Sequence, residues 1–171
     1  CRKGIHSEEY GVDFFDKFSP VAGIDAIRTI LSIAAKKNLK LYQKGVKTAY
    51  LNSKLNDEIY MEIPQAFGIY KSIPVGSNCV KLRKALYGLK QAAREWYCCL
   101  KETAKEIDLK PTEADEAVFV KRGEKDKIII MIAYVDDLLI VTEDENLKKE
   151  LDEILNDRFE IKGVNEVKYF L

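Results

Sequence analysis

The chain has 171 residues, 47% of them apolar and 33% charged, with 28 lysines and arginines against 28 aspartates and glutamates. That is the size and composition of one soluble globular domain with a real core. A neutral total says nothing about a local basic groove, so it excludes no partner by itself. No stretch reaches the roughly 18 apolar residues of a membrane span, and nothing near Cys1 has the layout of a signal peptide. Cys1, Cys79, Cys98 and Cys99 show no CxxC spacing, which reads as a reducing, intracellular setting. His6 has no histidine or cysteine partner at metal-ligand spacing and reads as a surface residue. The chain opens without methionine and ends in VKYFL, inside an apolar pattern, so both ends read as cut from something longer.

In 24–37, Ile24, Ile27, Ile30, Leu31 and Ala34 fall at helical spacing and Asn38 follows as a stop. Residues 40–46 read as a strand that runs on into VKTAYL, and 58–63 alternates as a strand until Pro64. A loop containing Pro74, Gly76, Ser77 and Asn78 precedes a second helical pattern over about 90–107, whose apolar face is Ala93, Trp96, Tyr97, Leu100, Ala104 and Ile107. A strand at 117–120 and a polar turn at 122–127 lead to two apolar runs, 128–134 and 138–142. A last helix, ENLKKELDEILNDRF, carries Leu147, Leu151, Ile154 and Leu155 on one stripe, and short strands at 159–162 and 167–171 follow it. This order predicts an α+β domain spanning 1–171, with helices on one side of a mostly antiparallel sheet.

The two apolar runs flank YVDD. Each run has the length of a strand, and the short gap between them allows a tight hairpin with Asp136 and Asp137 at its tip. Tight hairpins favour Asn-Gly or Asp-Gly, so Val-Asp-Asp is not what turn chemistry selects. Two like charges about 4 Å apart repel by roughly 4 kcal/mol at an effective dielectric near 20, unless a positive group answers them. A magnesium ion supplies that charge, and paired carboxylates on a rigid strand end suit phosphoryl transfer by two metal ions. A solvated acidic turn on a buried hairpin is the competing reading.

Further segments decide between the two. YVDD within an apolar hairpin resembles the signature of reverse transcriptases. FDKFSPVAGIDAIRTILSIAA (15–35), VKTAYLNSKLNDEIYMEIPQAF (46–67), KLRKALYGLKQAAREWY (81–97) and FEIKGVNEVKYFL (159–171) resemble, in the same order, segments of the copia-type long-terminal-repeat retrotransposon branch of that family. The resemblance covers essentially the whole chain. It implies the fingers and palm of a right-hand polymerase within a Pol polyprotein, with the thumb absent. The implied activity is RNA-directed DNA polymerisation on an RNA or DNA primer–template with deoxynucleoside triphosphates, in the cytoplasm within a virus-like particle. Asp136 and Asp137 would be the catalytic, Mg2+-binding acids of the hairpin. Tyr50 would lie under the sugar of the incoming nucleotide, and Gly88, Lys90 and Gln91 of LYGLKQ would belong to the nucleotide and template side of the site. Without the resemblance, Tyr50 reads equally as a core aromatic, Gly88 and Lys90 as a turn and a solvated helix start, and Trp96 and Tyr97 as core packing.

The chain departs from the family at a third acid. Where the family has Q-x-D-V-K-T-A-F-L-N-G this sequence has QKGVKTAYLNS, so Gly45 stands at the position of the remaining catalytic aspartate. Asp57 and Glu58 lie too far along an extended chain, at about 3.3 Å per residue, to substitute for it. Ala93 in place of the family's proline and Ser53 in place of a glycine are milder departures. The expectation is a reverse transcriptase domain whose Mg2+ binding is weakened and whose activity is lost. A protein that keeps the palm fold as a non-catalytic binding or assembly surface is the alternative.

Overall fold

A computed structural model describes residues 18–63, 79–124 and 127–166. The loop expected at 74–78, the strand expected at 167–171 and His6 lie outside them. The described chain forms two compact units, one of residues 19–49 and 97–166, the other of residues 50–63 and 79–96 together with Phe18.

The larger unit is a six-stranded sheet. Its strands are β1 (Lys40–Val46), β4 (Lys110–Pro111), β5 (Val118–Arg122), β6 (Ile128–Tyr134), β7 (Asp137–Thr142) and β8 (Ile161–Glu166), in the spatial order β4-β5-β6-β7-β1-β8. Every neighbouring pair is antiparallel. Helix α1 (Ile24–Lys37) buries Ile27, Ile30 and Ala34 against Val118, Ile130, Ile132, Leu139 and Val141 on one face of this sheet. It stops where the sequence predicts: Asn38 adopts a left-handed φ of 55° and its N–H closes on the carbonyls of Ala34 and Ala35.

The opposite face is covered as well. There Phe119 meets the ring of Tyr97 from helix α2 (Ala92–Lys105), with ring centroids 6.1 Å apart, and Lys44 reaches Asp152 of helix α3 (Glu145–Arg158). The expectation of helices on one side of the sheet is therefore corrected: α1 lies on one face, α2 and α3 on the other. The reason is visible in β6 and β7, where Ile129–Ala133 and Leu138–Val141 are all buried. A continuous apolar run, as opposed to an alternating one, belongs to a strand covered on both faces.

Asp144 starts α3. Its carboxylate accepts from the backbone N–H of Asn146 at 2.8 Å and of Leu147 at 3.3 Å, with Lys127 Nζ at 3.2 Å. The bond from Asn146 above all holds the carboxyl below its usual range. A depressed folded value means that the cap's contribution is complete above the unfolded value near pH 4 and is lost as the pH falls through the folded one. Asp144→Ala is accordingly expected to lower the Tm by about 2–4 °C at neutral pH. The difference from the parent protein should vanish in melts at about pH 2.

The smaller unit pairs β2 (Tyr60–Glu62) with β3 (Cys79–Lys81) and has Ile59, Ala85, Leu89 and Ala92 at its core, with Tyr50, Leu55, Leu82 and Leu86 packed around them. β1 ends at Val46 and does not run on through VKTAYL. Thr48 takes a left-handed φ of 47°, and a 3₁₀ turn at Ala49–Asn52 replaces the strand. Ser53, buried at the foot of that turn, donates its hydroxyl to the Tyr50 carbonyl at 2.7 Å, so the residue in the family's glycine position ties the turn down. The helix expected over 90–107 begins at Ala92. Of its expected apolar face Trp96, Tyr97, Leu100, Ala104 and Ile107 are buried, whereas Ala93 is only half-buried and Ala92 takes the inner position.

Candidate active site on the central hairpin

β6 and β7 form a hairpin with Tyr134 paired to Asp137, which leaves Val135 and Asp136 as a two-residue turn. The sequence reading placed both aspartates at the tip. Asp136 is on the turn, but Asp137 is the first residue of β7 and shares its ladder. Val135 has φ 51°. That conformation suits glycine and is disfavoured for a β-branched side chain, at a cost on the order of 1–3 kcal/mol. The surrounding sheet holds it in place: the Val46 N–H donates to the Asp136 carbonyl at 2.7 Å, anchoring the turn to the end of β1.

Gly45 lies on β1 directly opposite Asp137. On its other side the β1–β8 ladder shifts between Lys44 and Gly45, so that Gly45 faces Lys162, and Gly163, with φ 53°, is the extra residue. Such a bulge locally strengthens the twist and re-aims side chains, and bulges are common beside active sites. Asp137, Gly45 and Lys162 thus form one row across three strands. A Cβ built on Gly45 would sit 3.6 Å from Asp137 Oδ1 and 3.7 Å from Lys162 Cβ. These are ordinary contacts, so the backbone leaves room for a side chain at this position.

Two residues earlier on the same face of β1, Gln43 donates from Nε2 to Asp137 Oδ1 at 3.3 Å. Sequence reasoning passed over Gln43, although strand alternation puts it beside position 45. It also passed over Lys44, whose side chain points to the opposite face and is fully buried there, 3.0 Å from Asp152 Oδ1. A lysine inside a strand reads as solvated until its partner, more than a hundred residues away, is known.

The remaining expected site residues gather in the smaller unit. Tyr50 packs on Tyr87 with ring centroids 4.4 Å apart, and Gly88 has φ 101°, a conformation that favours glycine. Lys90 is exposed. Gln91 is buried and donates to Asp57 Oδ2 at 3.3 Å, which engages the first of the two acids considered as substitutes for the missing one. The second, Glu58, pairs with Lys81. Burial of Glu95 in the same unit pushes its carboxyl up, and Asn56 donates to it at 3.0 Å.

The resemblance of the YVDD hairpin to reverse transcriptases implies a divalent metal ion held here. Asp136 and Asp137 supply carboxylate oxygens and Gln43 a neutral amide, but Gly45 supplies nothing. Among the described residues no group of three or more histidine, cysteine, aspartate or glutamate side chains is disposed to hold a metal. The donor set does not fit a site built on three acids.

Residues 3–171 match the family described as reverse transcriptase (RNA-dependent DNA polymerase). The Retrovirus-related Pol polyprotein from transposon TNT 1-94 of Nicotiana tabacum is 40% identical over 171 residues, covering 99% of this chain and 12% of the relative. That from transposon RE1 of Arabidopsis thaliana is 38% identical over 167 residues, 97% of this chain and 11% of the relative. The Transposon Ty1-DR1 Gag-Pol polyprotein of Saccharomyces cerevisiae is 28% identical over 150 residues, 84% of this chain and 8% of the relative. The chain therefore spans about a tenth of the length of these curated relatives. With the ordered motifs, the α+β fold and these matches in agreement, the chain belongs to the reverse transcriptase family, as a segment of a copia-type retrotransposon Pol polyprotein.

Proposed function

We propose that this chain is the fingers-and-palm part of an RNA-directed DNA polymerase and that the copy is catalytically disarmed. In this reading the larger unit is the palm and the smaller one belongs to the fingers. An active member of the family would act on an RNA or DNA primer–template and deoxynucleoside triphosphates by nucleotidyl transfer at two Mg2+ ions, inside a virus-like particle, and this copy lacks one of the acids that would hold those ions. Asp136 and Asp137 are the surviving acids. Tyr50, Gly88, Lys90 and Gln91 form the nucleotide side, a role that agrees with the Tyr50–Tyr87 packing and the left-handed Gly88 next to it.

One observation carries the disarmed reading. The position opposite Asp137 has space for a side chain and holds glycine, so two carboxylates stand where the family resemblance implies three. Two acids and an amide give a divalent ion fewer charged oxygens than its octahedral shell favours. The test is a Mn2+ titration followed by the electron paramagnetic resonance of the free ion. The parent chain is expected to bind weakly, and Gly45→Asp at least tenfold more tightly. Equal titrations would remove the assignment of Gly45 to the third acid's place.

A further inference from the structure

On the α1 side of the larger unit, away from the hairpin acids, a cleft of about 610 Å³ opens between α1 and the β5–β6 part of the sheet. Its walls are apolar: Ala26, Ile30 and Ile33 from the helix, Val118, Val120 and Ile130 from the strands. The volume is that of a site for a small organic molecule. Two carboxylates, Asp25 and Asp115, line it, and among the described residues no lysine, arginine or histidine does.

Asp115 is fixed in place. Its Oδ2 accepts from the Gly23 N–H and its Oδ1 from the Ala117 N–H, both at 2.9 Å, and Thr112 Oγ1 donates to its carbonyl at 2.8 Å. Each carboxylate oxygen keeps a lone pair for another donor. Asp25 lies in the first turn of α1 and is exposed. The α1 N-terminus opposes these charges with only about half a positive charge, so the cleft carries a net negative field. The Thr29 hydroxyl donates to the Asp25 carbonyl at 2.7 Å, so its oxygen presents only an acceptor to the cleft. Low-dielectric walls, two anionic groups and spare acceptors together describe a receptor for an apolar body with a positive, hydrogen-bond-donating end.

We propose that this cleft is a binding site for a small amphipathic organic cation, a primary ammonium on an apolar chain or ring, with the ammonium at Asp25 and Asp115 and the apolar part between α1 and the sheet. The proposal is independent of the hairpin acids and stands whether or not the chain is a disarmed polymerase.

The test compares three matched probes on the full chain by saturation-transfer NMR and thermal shift: 4-phenylbutylammonium, 4-phenylbutanol and 4-phenylbutyrate. The ammonium is expected to bind about fivefold more tightly than the alcohol, the carboxylate to bind most weakly, and the advantage of the ammonium to shrink with added salt. Asp25→Asn should reduce the ammonium's affinity to near that of the alcohol and leave the alcohol unchanged. Ile33 is 40% exposed, so Ile33→Trp fills the cleft without disturbing the core and should abolish binding of all three probes while the Tm stays within a degree or two of the parent's. Equal binding of ammonium and alcohol, or binding that survives Ile33→Trp, overturns the proposal. Loss of Mn2+ tightening in Gly45→Asp leaves these outcomes untouched, so failure of the polymerase reading and failure of this one are distinguishable.

Discussion

Gly45→Asp is expected to raise primer extension by three to four powers of ten, compared with the parent segment set in the same flanking Pol sequence. If the third acid is worth about 5 kcal/mol of transition-state stabilisation, its loss lowers the rate by nearly four powers of ten, and its return should recover most of that. The substitution is sterically open, because the new Cβ would stand 3.6 Å from Asp137 Oδ1 and meet no backbone closer than 3.8 Å. It is electrostatically costly. A carboxylate on that Cβ would lie about 4 Å from Asp137, and at an effective dielectric near 20 the pair repels by roughly 4 kcal/mol before relaxation. Gln43, which already donates to the facing oxygen, and Lys162, the next residue in the row, both temper the repulsion. Without divalent ions the revertant should thus melt below the parent, and Mn2+ should raise its Tm because the ion binds only the folded acid cluster. Adding Asp136→Asn to the revertant should abolish the regained extension. Extension by the parent at a rate comparable to the revertant's would sink the disarmed reading.

Much of this was legible in the sequence, and the parts that were not share a physical cause. α1 has the predicted bounds because its signals are local, helical spacing closed by Asn38, whereas β1 starts where expected but ends at Val46, since the left-handed Thr48 breaks the extended chain. The hairpin was legible because two long apolar runs have only each other as near neighbours. β3 and β4 escaped notice, being three and two residues long, with no room for a period to appear. The side of the sheet that each helix covers depends on which of two buried faces it meets, and a run apolar on both faces does not say. In the site, the glycine stands out against the family pattern, and the register sets an acid on β7 opposite it. That acid is Asp137, whereas Asp136 belongs to the turn. Such a distinction of one residue reverses the face a side chain takes, and only the ladder resolves it. Gln43 and Lys44 illustrate the same point from β1, as adjacent polar residues sent to opposite faces, one to the hairpin acid and one into the core.

Lys44 supports the second large effect: Asp152→Ala is expected to destabilise the fold by about 3–5 kcal/mol. The Lys44 ammonium has no solvent access, and its counter-charge is Asp152 Oδ1 at 3.0 Å. Asp152 also accepts from Lys148 at 2.7 Å, and that ammonium rests 4.7 Å from the centroid of the Tyr42 ring on β1, so one carboxylate fastens α3 to β1 at two points. Removing it leaves Lys44 charged, buried and unanswered, and against a typical total stability of 5–15 kcal/mol that is a large fraction. Lys44→Met should behave differently. It keeps the length and volume of the side chain, removes the charge and its desolvation cost together, and leaves Asp152 with Lys148 and partial access to water. Its stability is expected to fall within about 1 kcal/mol of the parent's. Urea unfolding of the two variants decides the matter: equal losses would mean that Lys44 contributes by packing alone, and a loss below about 1 kcal/mol for Asp152→Ala would mean that the buried ammonium finds water or another partner. The asymmetry, if found, places a charge-sensitive joint one residue from Gly45, so that any restored acid at position 45 inherits a strand whose position depends on the opposite face of the sheet.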